Sequence, residues 1–299
     1  INNTVTTFGN SAVGIYLLSG SSNTLANNII TTIDSSAYGI FLDINSLNNL
    51  SNNRINTSGA DSYGVFLSQN SNSIFTFNNV STSGSGAFGI RLSGGESKNN
   101  TFTSSILSTS GSGADVIRMS GVSRNNTFIT SKITTASNYI GTDGTSTGNN
   151  ITNTTFSATN GSLRFPQTIE LPVTKTISLS NLNITFNKIF LNSTNIGSGN
   201  ISFMNLSAEI TFNNLNLTDP KPTVDLNDTG SFEQCNPPRC NEVSYNSTTL
   251  IFVFNVSSFT AYSSSETDII SPNVTDLRPI VESSFNTSQT IELVANVTD

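Results

Sequence analysis

The chain has 299 residues, of which 43 are Asn, 48 are Ser and 40 are Thr, while only 10% carry a charge. Its 12 Lys and Arg form no basic patch and its net charge is −7, which disfavours nucleic acid as a partner. No run of about 18 apolar residues is present, so no membrane span is expected in this segment. Because the chain starts at Ile1 without a leader, we expect a processed chain or a fragment.

A short pattern recurs every 25 residues in the first half. It places a glycine before alternating apolar residues, as in Tyr38 to Leu42 and Tyr63 to Leu67. The apolar column Val5, Ile30, Ile55 and Val80 keeps the same spacing. Self-similarity at this period marks a solenoid, and the alternation makes each repeat a rung of short strands. The pattern predicts about six rungs between Ile1 and Phe156.

Asparagine marks a corner of each rung, at Asn3, Asn28, Asn53 and Asn78. Asparagine tolerates the left-handed backbone of a tight turn, and its amide can bond to the asparagine one rung away. We therefore predict an internal asparagine ladder. We expect the later pairs to continue this same corner: Asn99 and Asn100, Asn125 and Asn126, Asn149 and Asn150.

This rung, with three short strands and small polar corners, resembles the right-handed parallel β-helix family, the fold of pectate lyases and of periplasmic NosD-like proteins. The resemblance covers the first half of the chain and rests on repeat geometry. It implies an all-β chain whose residues 1–157 form a right-handed parallel β-helix of about 25 residues per rung. The six-residue period of a left-handed β-helix is absent.

One column of side chains is predicted to face out of the solenoid. It contains Tyr16, Phe41 and Phe66, because Ile15 and Leu17 flank Tyr16 with the opposite parity. These rings could contact a partner or stack on sugar rings. Alternatively, a loop or the second domain covers them. The column continues as Arg91 and Arg118, which could meet an anionic sugar or form a solvated face.

Catalytic chemistry has little support in the sequence. Enzymatic β-helices use clustered carboxylates, and here the nearest pair by register is Asp34 and Asp61, roughly 8 Å apart from strand rise and spacing. Both also fit as turn residues. The chain has no histidine, the usual general base and metal ligand. We expect no catalytic residues, no metal and no cofactor.

The second half, residues 158–266, loses the 25-residue register and predicts a β-sandwich module that caps the solenoid. Turn signals include Asp219 to Pro222. Strands are predicted at Thr168 to Leu171, Thr176 to Leu179, Asn183 to Ile189, Ile201 to Leu206, Ala208 to Leu215 and Thr249 to Val256.

Asparagine is used differently in this half. Before residue 150 about 6 of 22 asparagines begin an Asn-x-Ser/Thr sequon, as chance predicts, whereas from there on about 14 of 21 do, against about 6 expected. We predict N-linked glycans on an extracellular surface, the alternative being an unmodified polar one. The predicted acceptors are Asn150, Asn153, Asn160, Asn183, Asn192, Asn200, Asn205, Asn216, Asn227, Asn246, Asn255, Asn273, Asn286 and Asn296.

The only cysteines, Cys235 and Cys240, enclose Asn-Pro-Pro-Arg. Two sulfurs without histidine make no zinc site. They predict a short-loop disulfide in an oxidising compartment, the alternative being free thiols.

The stretch from Ser207 to Phe212, the cysteine loop and Leu250 to Tyr262 are similar to the module that follows β-helix repeats in archaeal cell-surface proteins, which implies secretion. Residues 267–299 resemble the start of an immunoglobulin-like repeat. Its last strand lacks a partner in the sequence pattern. Either the chain continues, or this strand is donated to a neighbouring subunit through Thr290, Ile291, Leu293, Ala295 and Val297.

These expectations combine into a non-enzymatic structural glycoprotein of the cell surface, a subunit of a surface layer or filament. Its partners would be other copies of itself and N-linked glycans. The alternatives are an adhesin that binds carbohydrate and, third, a polysaccharide lyase or hydrolase.

Overall fold

The computed structural model describes residues 1–197, 201–266, 273–278 and 294–298. Its first 158 residues form a parallel β-solenoid of about six turns. The solenoid strands are β1 (Thr4–Thr7), β2 (Val13–Leu18), β3 (Thr24–Ala26), β4 (Ile29–Thr32), β5 (Tyr38–Asp43), β6 (Asn49–Ser51), β7 (Arg54–Thr57), β8 (Val65–Ser68), β9 (Ile74–Thr76), β10 (Asn79–Thr82), β11 (Ile90–Ser93), β12 (Glu96–Lys98), β13 (Thr101–Thr103), β14 (Ile106–Thr109), β15 (Asp115–Met119), β16 (Val122–Arg124), β17 (Thr127–Ile129), β18 (Lys132–Thr135), β19 (Asn138–Thr142) and β20 (Asn149–Ala158).

Each rung adds one strand to each of three parallel columns: β1, β4, β7, β10, β14, β18 and β20; β2, β5, β8, β11, β15 and β19; β3, β6, β9, β13, β17 and again β20. In two neighbouring rungs, β12 and β16 pair in parallel as a short fourth column. Pairing is in register, so that Ile55 lies between Ile30 and Val80. Equivalent apolar residues therefore stack inside the coil. The predicted right-handed parallel β-helix with about 25 residues per turn is confirmed.

The rung length changes after the third repeat. Val80 pairs with Leu107, 27 residues on, and Leu107 pairs with Ile133, 26 residues on. The core continues through these rungs, because the rings of Phe75, Phe102 and Phe128 stack at centroid distances of 4.3 and 4.5 Å. The corners absorb the length change while the strands keep their register.

The asparagine ladder is present at the predicted corner. Asn28 Nδ2 donates to Asn53 Oδ1 at 2.8 Å, and Asn53 Nδ2 donates to Asn78 Oδ1 at 2.9 Å. Asn53 Nδ2 also donates to the Leu25 carbonyl at 2.8 Å, and Asn53 Oδ1 accepts from the Asn28 backbone N–H. All the polar capacity of the buried Asn53 amide is therefore used within the coil.

The later asparagines do not continue that corner, contrary to the prediction. Asn100, Asn126 and Asn149 form a second ladder, with bonds of 3.0 and 2.9 Å, at the corner that begins with Asn23 and Asn48. The first corner continues instead as Ser105 and Ser131. The two corners lie five residues apart in a rung, so the 27-residue rung makes them hard to distinguish by counting.

The described residues of the second module form ten strands, a short helix and a 3-10 turn. These are β21 (Gly161–Leu171), β22 (Thr176–Ser178), β23 (Leu182–Thr185), β24 (Lys188–Leu191), α1 (Ser193–Gly197), the 3-10 turn Ser202–Met204, β25 (Ala208–Phe212), β26 (Pro220–Asp225), β27 (Glu233–Gln234), β28 (Cys240–Asn246), β29 (Ile251–Val256) and β30 (Ala261–Glu266).

Two antiparallel sheets build this module, one of β21, β25, β29 and β28, the other of β23, β24, β30, β26 and β27. They meet through apolar side chains such as Phe254 on β29 and Tyr262 on β30, whose ring centroids lie 6.3 Å apart. Both side chains are fully buried. The sandwich-type module expected from the sequence is confirmed.

The module covers the end of the solenoid. The long strand β20 pairs in parallel with both β17 and β18, and its other edge pairs antiparallel with β21. In the remaining column, β22 pairs antiparallel with β19. The last rung is therefore paired within the chain. Its strand edges at this end of the solenoid are not available for contacts between copies.

Three predicted elements of this module are wrong. Asn183 to Ile189 is a hairpin of β23 and β24, because Asn187 adopts φ 48° and its amide bonds to the backbone of Ser264. Ile201 to Leu206 holds the 3-10 turn rather than a strand. The proline-rich segment expected to turn instead forms β26, whose partner strands are β27 and β30.

Two further strands, β31 (Asn273–Arg278) and β32 (Val294–Thr298), pair antiparallel with each other. Ala295 faces Asp276 and Val297 faces Val274 across the pair. The strand expected to be alone thus has a partner within the chain. Thr290, Ile291 and Leu293 lie outside the described residues. In the part of the chain that is described, no helix is long and apolar enough to cross a membrane.

Candidate functional site

The outward column predicted from the sequence lies on the outer side of the second strand column. Tyr16 is 47% exposed, and Phe41 and Phe66 are half-buried. Their rings stack in series, with centroids 4.9 Å apart between Tyr16 and Phe41 and 4.7 Å apart between Phe41 and Phe66. The ring spacing follows the spacing of neighbouring strands, about 4.8 Å.

A second column of rings, missed by the sequence reasoning, lies beside the first. Tyr38, Tyr63 and Phe88 stack at 4.9 and 5.1 Å. They meet the first column edge to face, as Tyr38 does with Phe66 at 5.4 Å. Burial raises the pKa of the Tyr38 hydroxyl, and the neighbouring Tyr63 raises it further. We call these six rings the aromatic face: Tyr16, Tyr38, Phe41, Tyr63, Phe66 and Phe88.

A glycine explains why the alternation rule did not predict the second column of rings. A Cβ on Gly39 would lie 2.3 Å from Ile55 Cγ2 and 2.6 Å from the Gly64 carbonyl oxygen, so this position faces the core. Gly39 and the buried Ile40 thus both point inward. Tyr38 and Phe41, on either side of them, both point outward. Strict alternation would have placed Tyr38 inside. The recurring glycine was the available signal.

Stacking determines what the aromatic face can bind. Successive rings are close to parallel, at 17° between Tyr16 and Phe41 and 10° between Phe41 and Phe66, so their faces cover one another and their edges point to solvent. A sugar stacks on the face of a ring. Of the first column, Tyr16 is the most exposed ring among the described residues, at 47%. Its hydroxyl lies 3.5 Å from Asp43 Oδ2.

Arg91 ends the aromatic face. Its guanidinium carbon lies 5.0 Å from the Tyr63 ring centroid and 5.5 Å from that of Phe66, and Nη1 donates to the Tyr63 hydroxyl at 2.5 Å. Cation–π attraction stabilises this placement. Arg118, next in the column, turns instead to carboxylates, with Nη1 3.1 Å from the buried Asp115 and Nη2 2.6 Å from Asp143. The guanidinium of Arg91 thus contacts aromatic rings, whereas that of Arg118 contacts carboxylates.

The structure gives Asp34 and Asp61 positions in corners. Asp34 Oδ2 accepts a hydrogen bond from the Gly9 backbone N–H at 2.5 Å, and the Asp34 carbonyl accepts from the Ser62 hydroxyl at 2.9 Å. Asp61 is exposed with φ 53°. Neither carboxylate joins a larger group: within the described ranges, no three His, Cys, Asp or Glu side chains are placed to hold a metal ion.

The predicted glycan acceptors differ sharply in exposure from the ladder asparagines. Asn205, Asn216, Asn227, Asn246 and Asn255 are exposed, and Asn150, Asn153, Asn160, Asn183 and Asn192 are half-buried. Asn200 and Asn286 lie outside the described residues, as do the side chains of Asn273 and Asn296. Where burial is described, the fully buried asparagines are all in the solenoid and none begins a sequon: Asn28, Asn45, Asn48, Asn53, Asn70, Asn78, Asn100, Asn126 and Asn149.

Cys235 and Cys240 form a disulfide with a Cα–Cα distance of 5.6 Å. Both cysteines are buried, and the bond ties the end of β27 to the start of β28. The loop between them lies beside β29, because the Ser257 N–H donates to the Arg239 carbonyl at 2.9 Å. The disulfide thus fixes a surface loop next to the sequon at Asn255.

Of the comparisons with known proteins, the match to a family model supports the fold. Among solved structures, the chain is similar to one in the cryo-EM structure of the Vag8-C1 inhibitor complex, with a TM-score of 0.41 and 24% identity over 53% of this chain and 41% of that chain. This chain therefore spans less than half of that solved chain. No curated protein matches it. The model of the right-handed β-helix region family matches residues 1–156, just over half of the chain, and the chain therefore belongs to that family.

Proposed function

We propose that this chain is a non-enzymatic structural glycoprotein of the cell surface, a subunit of a surface layer or filament. The solenoid is its stiff element, because each rung bonds to the next through three strand columns, and asparagine ladders at two corners join several of the rungs. The sandwich closes one end of this rod and carries nine of the 14 predicted glycan acceptors.

The observation that carries the proposal is the division between the two kinds of asparagine. No described sequon asparagine of the second half is buried, and no buried asparagine begins a sequon. An oligosaccharide needs an accessible amide, so this division fits glycan attachment. The Cys235–Cys240 disulfide supports an oxidising, extracellular compartment.

Two features support assembly into larger structures. The first rung pairs with the second through β1, β2 and β3, whose other edges are where another rung could pair. Among the described residues, β31 and β32 form a two-stranded sheet, and an isolated pair of strands is at best marginally stable. A strand from another copy would complete it. Copies would thus associate through the solenoid and through strand addition.

Electron microscopy of purified native material tests the proposal. We expect ordered filaments or sheets with glycan density. Peptide mass spectrometry of the same material should find Asn205, Asn216 and Asn255 modified. Dispersed rods without glycan on any sequon would contradict the proposal. Deleting residues 290–297 should leave monomers, whereas normal assemblies after that deletion would rule out strand addition.

An adhesin that binds carbohydrate is the second candidate, favoured by the exposed ring of Tyr16, whose hydroxyl lies 3.5 Å from Asp43 Oδ2. A sugar has an apolar face for the ring and hydroxyls for the carboxylate. This candidate predicts that Tyr16→Ala abolishes glycan-array binding while assembly stays normal. Phe41→Ala, whose ring face is already covered, should weaken binding less.

A further inference from the structure

We propose that the groove beside Asn255 is the seat of an N-linked oligosaccharide carried by Asn255, so that the sugar packs as part of the sandwich surface. This inference rests on the proposed function, because it requires a glycosylated chain. Asn255 lies on β29, is exposed, and begins the sequon Asn255-Val256-Ser257. Among the described residues, its amide makes no side-chain hydrogen bond, so Nδ2 is free to carry a sugar.

A row of polar side chains crosses the sheet at this position. Asn255 pairs with Glu209 on β25 and with Asn241 on β28, and Glu209 pairs with Arg164 on β21. Directly paired residues project from the same face of a sheet, at strand spacings of about 4.8 Å. A sugar on Asn255 therefore has hydrogen-bonding neighbours on both sides.

The same side chains line a groove of about 450 Å³, together with Pro166 and Pro238. This volume is within the range of small-molecule sites, about 300–1,000 Å³. Sugars have apolar C–H faces and a rim of hydroxyl groups. The proline rings provide apolar walls, while the polar row supplies donors and acceptors. The groove thus matches the chemistry of a sugar.

The polar row is held in place before any sugar arrives. Arg164 Nη2 lies 3.1 Å from Glu209 Oε2, and its Nη1 donates to Asn153 Oδ1 at 3.2 Å. A fixed guanidinium loses less entropy when it binds a ligand. The loop closed by the disulfide places Pro238 at the other side of the groove. Both walls are therefore preorganised.

The attachment is a group transfer from a lipid-phosphate-linked oligosaccharide. A bond forms between Asn255 Nδ2 and the anomeric carbon of the sugar, while the anomeric carbon–oxygen bond to the donor phosphate breaks. The phosphate leaves with the electron pair, and the amide proton goes to a base of the transferring enzyme. The Asn255 Oδ1 acceptor is retained in the product.

Thermal unfolding of protein purified from the native host tests the seat. Asn255→Gln should lower Tm by about 2–4 °C, because the seated sugar is lost. The matched control is Asn216→Gln, which removes an exposed sequon that does not line the groove and should leave Tm unchanged. A double-mutant cycle adds Asn241→Ala, which should lower Tm in the wild-type background but not with Asn255→Gln.

Glycopeptide mass spectrometry distinguishes a failure of the proposed sugar seat from a failure of the proposed function. Modified Asn216 with unmodified Asn255 overturns the seat and leaves the proposed function standing. No glycan on any sequon overturns both. If Asn255 is modified but its loss changes Tm no more than the loss of Asn216, or if Asn241→Ala acts equally in both backgrounds, the sugar is not seated in the groove.

Discussion

The solenoid and the sandwich use the same residue in opposite ways. In the solenoid, the ladder asparagines face inward and bond to the equivalent amide one rung away, as Asn28, Asn53 and Asn78 do. In the sandwich, the sequon asparagines are exposed or half-buried. A parallel coil repeats its backbone geometry at every rung, so that a side chain can meet its own equivalent. The antiparallel sheets offer no such repeat. Position in the fold, rather than residue type, therefore decides the role of an asparagine.

Removing one ladder amide is the strongest test of whether buried solenoid asparagines and exposed sandwich asparagines differ in their contribution to stability. Asn53→Ala should reduce the free energy of unfolding by about 3–5 kcal/mol, because the backbone N–H and side-chain amide of Asn28 lose their acceptor and the Leu25 carbonyl loses a donor. Asn227→Ala, at an exposed sandwich position, should cost less than about 0.5 kcal/mol. Denaturant unfolding measures both. Equal losses of unfolding free energy would mean that a ladder asparagine contributes no more to stability than an exposed one.

The glycine that turns the aromatic residues outward offers the next test. Gly39→Ala should destabilise by about 1–3 kcal/mol, because its Cβ would meet the Gly64 carbonyl and the Ile55 side chain. Gly95→Ala is the control, since its Cβ would meet only the flexible Gln69 side chain at 3.1 Å. A neutral Gly39→Ala in the same unfolding measurement would contradict the inward orientation of this position.

A substitution at Arg91 tests whether this arginine stabilises the outer column through the aromatic rings or through surface charge. Arg91→Gln should cost about 0.5–2 kcal/mol, because it removes the cation from the Tyr63 and Phe66 rings. High salt should change this cost little, since the contact is partly buried. A cost that disappears at high salt would assign Arg91 to surface charge instead.

The smallest effect concerns a carboxylate of the sandwich, Asp225. Burial acts to raise its pKa, but the N–H groups of Gly230, Thr229 and Asn227 outweigh burial and hold the pKa below its usual value. Its contribution to stability is therefore complete above about pH 4 and lost as the pH falls through the lower folded-state pKa. Asp225→Asn should lower Tm at pH 7, and the difference in Tm between this variant and the wild type should be smaller near pH 3. A constant difference would contradict this assignment.

The solenoid could be predicted from sequence because a repeat displays its own pairing: Val5, Ile30 and Ile55 share a column in the chain and in space. Prediction failed where the backbone departs from a simple period. At Gly39 the alternation breaks, so that Tyr38 lies outside although strict alternation would have placed it inside. The longer rung after Val80 hid the second asparagine corner.

In the sandwich no period helps. The turn at Asn187 depends on hydrogen bonds to Ser264, 77 residues later, which no local pattern reveals. The groove beside Asn255 likewise depends on strands distant in sequence. Its sequon was predicted, but its neighbours Arg164 and Glu209 were not, because sheet pairing alone brings them together.

The ladder also determines how such a molecule can lengthen. A copied rung arrives with its own corner asparagine, which bonds above and below as Asn53 does. Duplicating one whole repeat therefore extends the rod by about 4.8 Å without leaving an unpaired amide inside. An insertion of part of a repeat has to be absorbed by a corner, as happens after Val80. Rod length can thus change by gene duplication in steps of one rung, while the cap formed by β21 and β22 stays the same.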